Sequence, residues 1–222
     1  VSVRSADDLA QVASPAWPEI VALAASSSAV VLPVEPAQGL RTLFRLQVSA
    51  GSFLGGLALN CGGILADHGW FRIYGGGSPG LPDVATANRL ADPYALTSPP
   101  GLLEVGTDVL GGRFAIDGGA LGINAGEVCY FGPDTLSWGG LGGGHSAFIR
   151  AVLDGSMADA FDSLRWPGWQ GEVERLHASE GISLYPPPFT SEGKDPGAVS
   201  RRVVPADELR GFYQGAAGQL NT

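Results

Sequence analysis

The chain has 222 residues, 45% of them apolar and 16% charged, with 22 acidic against 13 basic side chains and a formal charge of −9. That length and apolar content suffice for a buried core and exclude general disorder, while the acidic surface argues against nucleic acid and anionic membrane as partners. Cys61 and Cys129 belong to no CxxC pair or zinc set, so two buried thiols in a reducing cytoplasm are expected, and the absence of a long apolar run predicts no membrane span.

Ser5 with Asp8 three positions on forms a capping pattern, and Ala6, Leu9, Ala10 and Ala13 follow at helical spacing. Trp17, Ile20, Val21 and Ala24 make a second helical face opened by Pro18, and Val30 to Leu32 reads as a strand stopped by Pro33. After Pro36, Leu40, Leu43 and Phe44 define a third helix.

From Leu54 the chain changes to short β-forming runs at 57–60, 63–66, 70–74, 102–109, 113–117, 127–131 and 136–138, joined by glycine-rich spacers that predict antiparallel neighbours. The exception is 78–101, a polar, proline-bearing excursion and the best candidate for a variable functional loop. Helical stripes return at Phe148, Ile149, Val152 and Leu153, at Met157, Ala160, Phe161 and Leu164, and at Trp169, Val173 and Leu176. The proline run 186–188 and the stretch 191–197 read as a surface connection, and Pro205, Asp207 and Glu208 open a last helix carrying Leu209, Phe212, Tyr213 and Ala216.

Helices, then strands, then helices give an α+β fold with a central twisted, mainly antiparallel sheet. We expect one domain over 1–222, with N-terminal helices over about 5–48, sheet over about 54–138 and C-terminal helices over about 145–217.

Asp67-His68 is the natural place to look for chemistry, because an imidazole beside a carboxylate can act as a base or bind zinc. Neighbours in a strand point to opposite faces, so the two share a site only if the chain turns at Gly69. The competing reading is a turn in which Asp67 accepts nearby backbone N–H groups and His68 packs or caps. His145 and His177 have no histidine at ligand spacing, so neither a metal site nor a cofactor is expected. The run Gly139 to Gly144 stands where a phosphate loop would sit but lacks the Gly-Lys-Ser/Thr ending, so it reads as a flexible or tightly turned lead-in to a helix. Trp17, Trp70 and Trp138 read as anchors between helices and sheet, and Trp166 and Trp169 either as core or as residues facing a partner.

Ala16-Trp17-Pro18, the block Gly62 to Gly77 containing Asp67-His68-Gly69-Trp70 and Arg72-Ile73, Phe114 to Gly119, Val128 to Asp134, Trp138, Phe161, Leu164-Arg165-Trp166 and Trp169 together resemble the bacterial family DUF2625, which carries no assigned activity. The element order, Pro133-Asp134 ahead of Trp138, and the helix ending Leu153-Asp154-Gly155 are similar to the SUKH superfamily of Smi/Knr and Syd type. That likeness implies a non-catalytic protein, with a toxin or regulatory target as partner and immunity as the role.

Two functions follow. The first is a cytoplasmic protein-binding module, not an enzyme, that engages its partner through the sheet face or the 78–101 excursion and presents an exposed aromatic and acidic surface including Trp70, Trp138, Trp166 and Trp169. The alternative is a small-molecule binder or hydrolase-like enzyme that gathers Asp67, His68, Arg72 and Asp117 around a concave sheet.

Overall fold

The computed structural model describes residues 2–95 and 98–220. The N-terminal layer is built as its caps and apolar spacing require. In α1 (Ala6–Ala10) the Ser5 hydroxyl accepts the Asp8 N–H at 3.1 Å, and α2 (Trp17–Ala25) carries Pro18 in its first turn, where no N–H is missed. Strand β1 (Val30–Leu32) leads into α3 (Pro36–Leu46), which packs on α4 (Phe53–Asn60). Gly39 makes that crossing close: a β-carbon there would stand 2.3 Å from the Leu59 carbonyl oxygen.

The helix α4 corrects the expected strand at 57–60. Ser52 caps it by accepting the Gly55 N–H at 3.1 Å, and Phe53, Leu54, Leu57 and Ala58 are all buried. A helix enclosed on every side shows no amphipathic period, and a short apolar run of that kind cannot be told from a strand by pattern.

Seven strands then form one antiparallel sheet in chain order. After β1 come β2 (Gly63–Ala66), β3 (Phe71–Tyr74), β4 (Leu102–Asp108), β5 (Arg113–Asp117), β6 (Glu127–Phe131) and β7 (Trp138–Gly144). The excursion between β3 and β4 holds a short helix, α5 (Val84–Ala87), and a 3-10 turn, Pro93–Ala95; positions 96 and 97 lie outside the described residues. The glycine run 139–144 is therefore edge strand and not a turned lead-in, with Cys129 opposite Gly140 and Glu127 opposite Gly144 across a bulge. The expected strand at 136–138 shifts toward this run because Leu136 sits in a turn at φ 51°.

One face of the sheet is covered by α2, α4 and α6 (His145–Leu153), by the 3-10 helix Ala158–Leu164 and by α7 (Trp169–Val173). Here Phe114 packs against Phe71, Phe148 and Phe161 with ring centroids 4.9 to 6.0 Å apart, close enough for offset and edge-on contacts. Residues 145–217 are not all helical. A second, two-stranded sheet pairs β8 (Glu180–Tyr185) with β9 (Ser200–Pro205) before α8 (Ala206–Leu220). The connection read at 186–197 joins these strands, and Ile182 and Leu184 point into the core while Tyr185 is exposed. Alternation over so few residues, broken by prolines, left that hairpin unread. Against the opposite face, α8 contributes Leu209 and Tyr213 to a smaller cluster with Phe131, Leu136 and Val204.

Candidate functional site

The Asp67-His68-Gly69-Trp70 segment is the turn joining β2 to β3. Asp67 and His68 have φ of 51° and 59° and Gly69 has φ of 88°, and the Gly69 N–H closes the turn on the Ala66 carbonyl at 3.1 Å. Aspartate and histidine are among the non-glycine residues that most readily adopt this left-handed region.

The turn sends the two side chains to different partners. The Asp67 carbonyl accepts the Trp70 N–H at 2.9 Å, while the Asp67 carboxylate forms an ion pair with Arg165, whose guanidinium lies 4.3 Å from the Trp169 ring centroid and 5.0 Å from that of Trp70. His68 pairs through Nδ1 with Glu174 at 2.5 Å and meets Trp169 edge-on at 5.6 Å. Both members of that pair are open to solvent, with side chains 39% and 55% exposed, and they border a hollow of about 210 Å³.

The other residues named for a concave site lie apart from this turn or serve the backbone. Arg72, buried, donates to the carbonyls of Gly69, Ala178 and Glu180 and so ties β3 to the start of β8; burial lowers its pKa to about 10. Asp117 lies at the far end of the strands, opposite Leu102 where the turn-side end of β4 is Asp108. It accepts the N–H groups of Gly119, Leu121 and Ile123, and these hold its carboxyl below the usual range. Asp67, His68, Arg72 and Asp117 thus have four separate sets of partners.

Of the two readings of the tryptophans, core packing and an exposed patch, the structure has the first. Trp70, Trp166 and Trp169 are buried in the core, with Arg201 lying 5.0 Å over Trp166, because alternating indole and guanidinium planes let charged side chains pack against a greasy core. Trp138 is half-buried beside Phe131. Among the described residues, no group of three His, Cys, Asp or Glu side chains is placed to share a metal ion. Cys61 and Cys129 are free and buried, and burial pushes the Cys61 thiol up to about 12.

A larger concavity than the hollow beside His68 lies on the other face of the sheet. A cleft of about 930 Å³ lies between the strands, α8, the β8–β9 hairpin and the excursion, whose residues 80–82, 86, 87 and 89 form one wall. His177 holds that wall in place: Gly80 packs so tightly on its ring that a β-carbon there would be 2.2 Å from Cε1. Beneath the floor, which Tyr74 and Arg210 line, Glu104 is buried and receives Arg210, which forms an ion pair with it, and the Tyr74 hydroxyl at 3.3 Å. Burial raises the Glu104 pKa, with Arg210 and then Arg113 opposing the rise. Burial also raises that of the Tyr74 phenol. Arg113 lines the same cleft beside Thr107.

These floor residues escaped the sequence reading, although each left a mark: Glu104 and Arg113 are charges inside otherwise apolar strand runs. Only the register, which sets Thr107 opposite both Arg72 and Arg113, puts them on one face with Tyr74.

Comparison with known proteins follows the same lines. The chain is similar to the "Putative uncharacterized protein YbfG" of Escherichia coli (strain K12), 34% identical over 214 residues that cover 93% of this chain and 94% of the relative. It is also similar to an "Uncharacterized protein" of Haemophilus influenzae (strain ATCC 51907 / DSM 11121 / KW20 / Rd), 30% identical over 192 residues, 86% of this chain and 83% of that one. No solved structure matches it significantly. The profile described as "Protein of unknown function DUF2625" matches residues 6–209, and the chain therefore belongs to the DUF2625 family.

Proposed function

We propose that this chain is a non-catalytic, cytoplasmic binding module whose residues 1–222 act as one domain and whose partner protein docks over the cleft between the sheet and α8. The cleft itself carries the reading: it is several times larger than the hollow beside His68, it is walled by the excursion, and the groups at its floor are engaged with one another. A tyrosine whose proton is held by burial and a buried glutamate already ion-paired with Arg210 make a recognition surface more readily than a proton-transfer centre. Free, buried thiols agree with a reducing compartment, and no helix among the described residues is long and apolar enough to cross a membrane. The likeness to the SUKH superfamily supports a toxin or a regulatory target as the partner, with immunity as the role.

The test is photo-crosslinking in the native host, with the reactive residue at Gln214 on the cleft wall or, as control, at exposed Val21 on α2. The expected result is one defined adduct from position 214, with a protein encoded beside this gene, and none from position 21. Adducts from position 21 alone would overturn the docking surface.

A further inference from the structure

One guanidinium lining the cleft, that of Arg113, is nearly buried. Arg113 has a side chain only 10% exposed, its guanidinium lying 4.6 Å from the Phe131 ring centroid and 5.1 Å from that of Trp138. Among the described residues its guanidinium makes no hydrogen bond; its ion-pair partner is Glu104 at 3.8 Å, and that carboxylate also takes Arg210 and Tyr74. Two guanidiniums thus flank one buried carboxylate, and Arg113 is the more distant of the two. A guanidinium out of bulk water with its N–H fork unmet is costly, and the fork matches a planar oxyanion in two-pronged geometry.

We propose that Arg113 is the anchor of a carboxylate-binding subsite, which takes a chain-terminal or side-chain carboxylate of the docked partner. The inference rests on the binding reading above. The acidic side chains around the cleft favour a carboxylate over a phosphate: one negative charge is enough to meet the Arg113 fork. A doubly charged group would meet the carboxylates of Asp108, Glu180 and Asp207 that also line the cleft, in a chain already at −9. The stacked rings fix the guanidinium plane, so the carboxylate meets a pre-oriented fork.

The experiment titrates ¹⁵N-labelled protein with N-acetylglycine, with its neutral amide and with inorganic phosphate at matched ionic strength, following the arginine Nε–H resonances. The expected result is a saturable shift of the Arg113 resonance with N-acetylglycine, at least tenfold weaker with the amide or phosphate, and N-acetylglycine affinity at least tenfold weaker in Arg113→Met. The shift in the unaltered protein tests the proposal even if that variant does not fold. No saturable shift, or phosphate binding as tightly as N-acetylglycine, overturns it. A crosslinked partner without the shift removes the subsite and keeps the docking surface; the shift without a crosslinked partner keeps the subsite and removes the docking surface.

Discussion

His145, the first residue of α6, should make the fold sensitive to mild acid. Both its ring nitrogens are shut from water without a hydrogen-bond partner, and burial lowers its pKa from 6.5 to about 4. The folded state therefore binds fewer protons than the unfolded chain between these two values. The stabilisation from keeping the ring neutral is complete above pH 6.5, shrinks as pH falls through the window and is gone below pH 4. At pH 5 the linkage relation with these two pKa values gives a loss of about 2 kcal/mol relative to neutral pH. Because buried Glu104 and Asp108 have raised pKa values and titrate with the opposite sign, the informative quantity is a double difference. Urea unfolding at pH 7.5 and at pH 5.0 should show the unaltered protein losing about 2 kcal/mol more than His145→Leu, which replaces the ring by an apolar group of similar size. Equal losses in the two proteins would refute the assignment of a buried, neutral imidazole.

The remaining predictions concern the turn and the helix crossing. Asp67→Ala removes the less exposed of two carboxylate partners of Arg165, whose side chain is only 9% exposed and which keeps Asp162 at 3.4 Å, and should cost about 1.5 to 3 kcal/mol in chemical denaturation, the range for a hydrogen bond between charged groups; an unchanged midpoint would count against the Asp67–Arg165 pair as a structural lock. His68→Ala breaks an exposed pair with Glu174 and should change stability by less than about 1 kcal/mol, so a larger loss would mean that the ring's contact with Trp169 matters more than its charge. Gly39→Ala drives a methyl group into the Leu59 carbonyl; a loss of about 1 to 3 kcal/mol is expected, read as a lowered melting temperature.

The sequence by itself determined most element positions. Ser5 and Pro18 fix helix starts through local hydrogen bonding and a preset φ, and the β-forming runs 63–66, 102–109, 113–117 and 127–131 become strands within a residue or two. Asp67-His68 also reads locally as a turn, from residue types that tolerate positive φ. What lay beyond the sequence was anything set by a distant neighbour. The glycines 139–144 become a strand only because β6 offers a ladder, and 57–60 becomes helix because it is enclosed by α2, α3 and α6. The chemistry moved for the same reason. Adjacent Asp67 and His68 part toward Arg165 and Glu174, roughly a hundred positions away in the chain, while Tyr74, Glu104, Arg113 and Arg210, which share no motif, meet on one cleft floor. Cross-strand register and the docking of α8 bring them together, and neither leaves a local pattern to read.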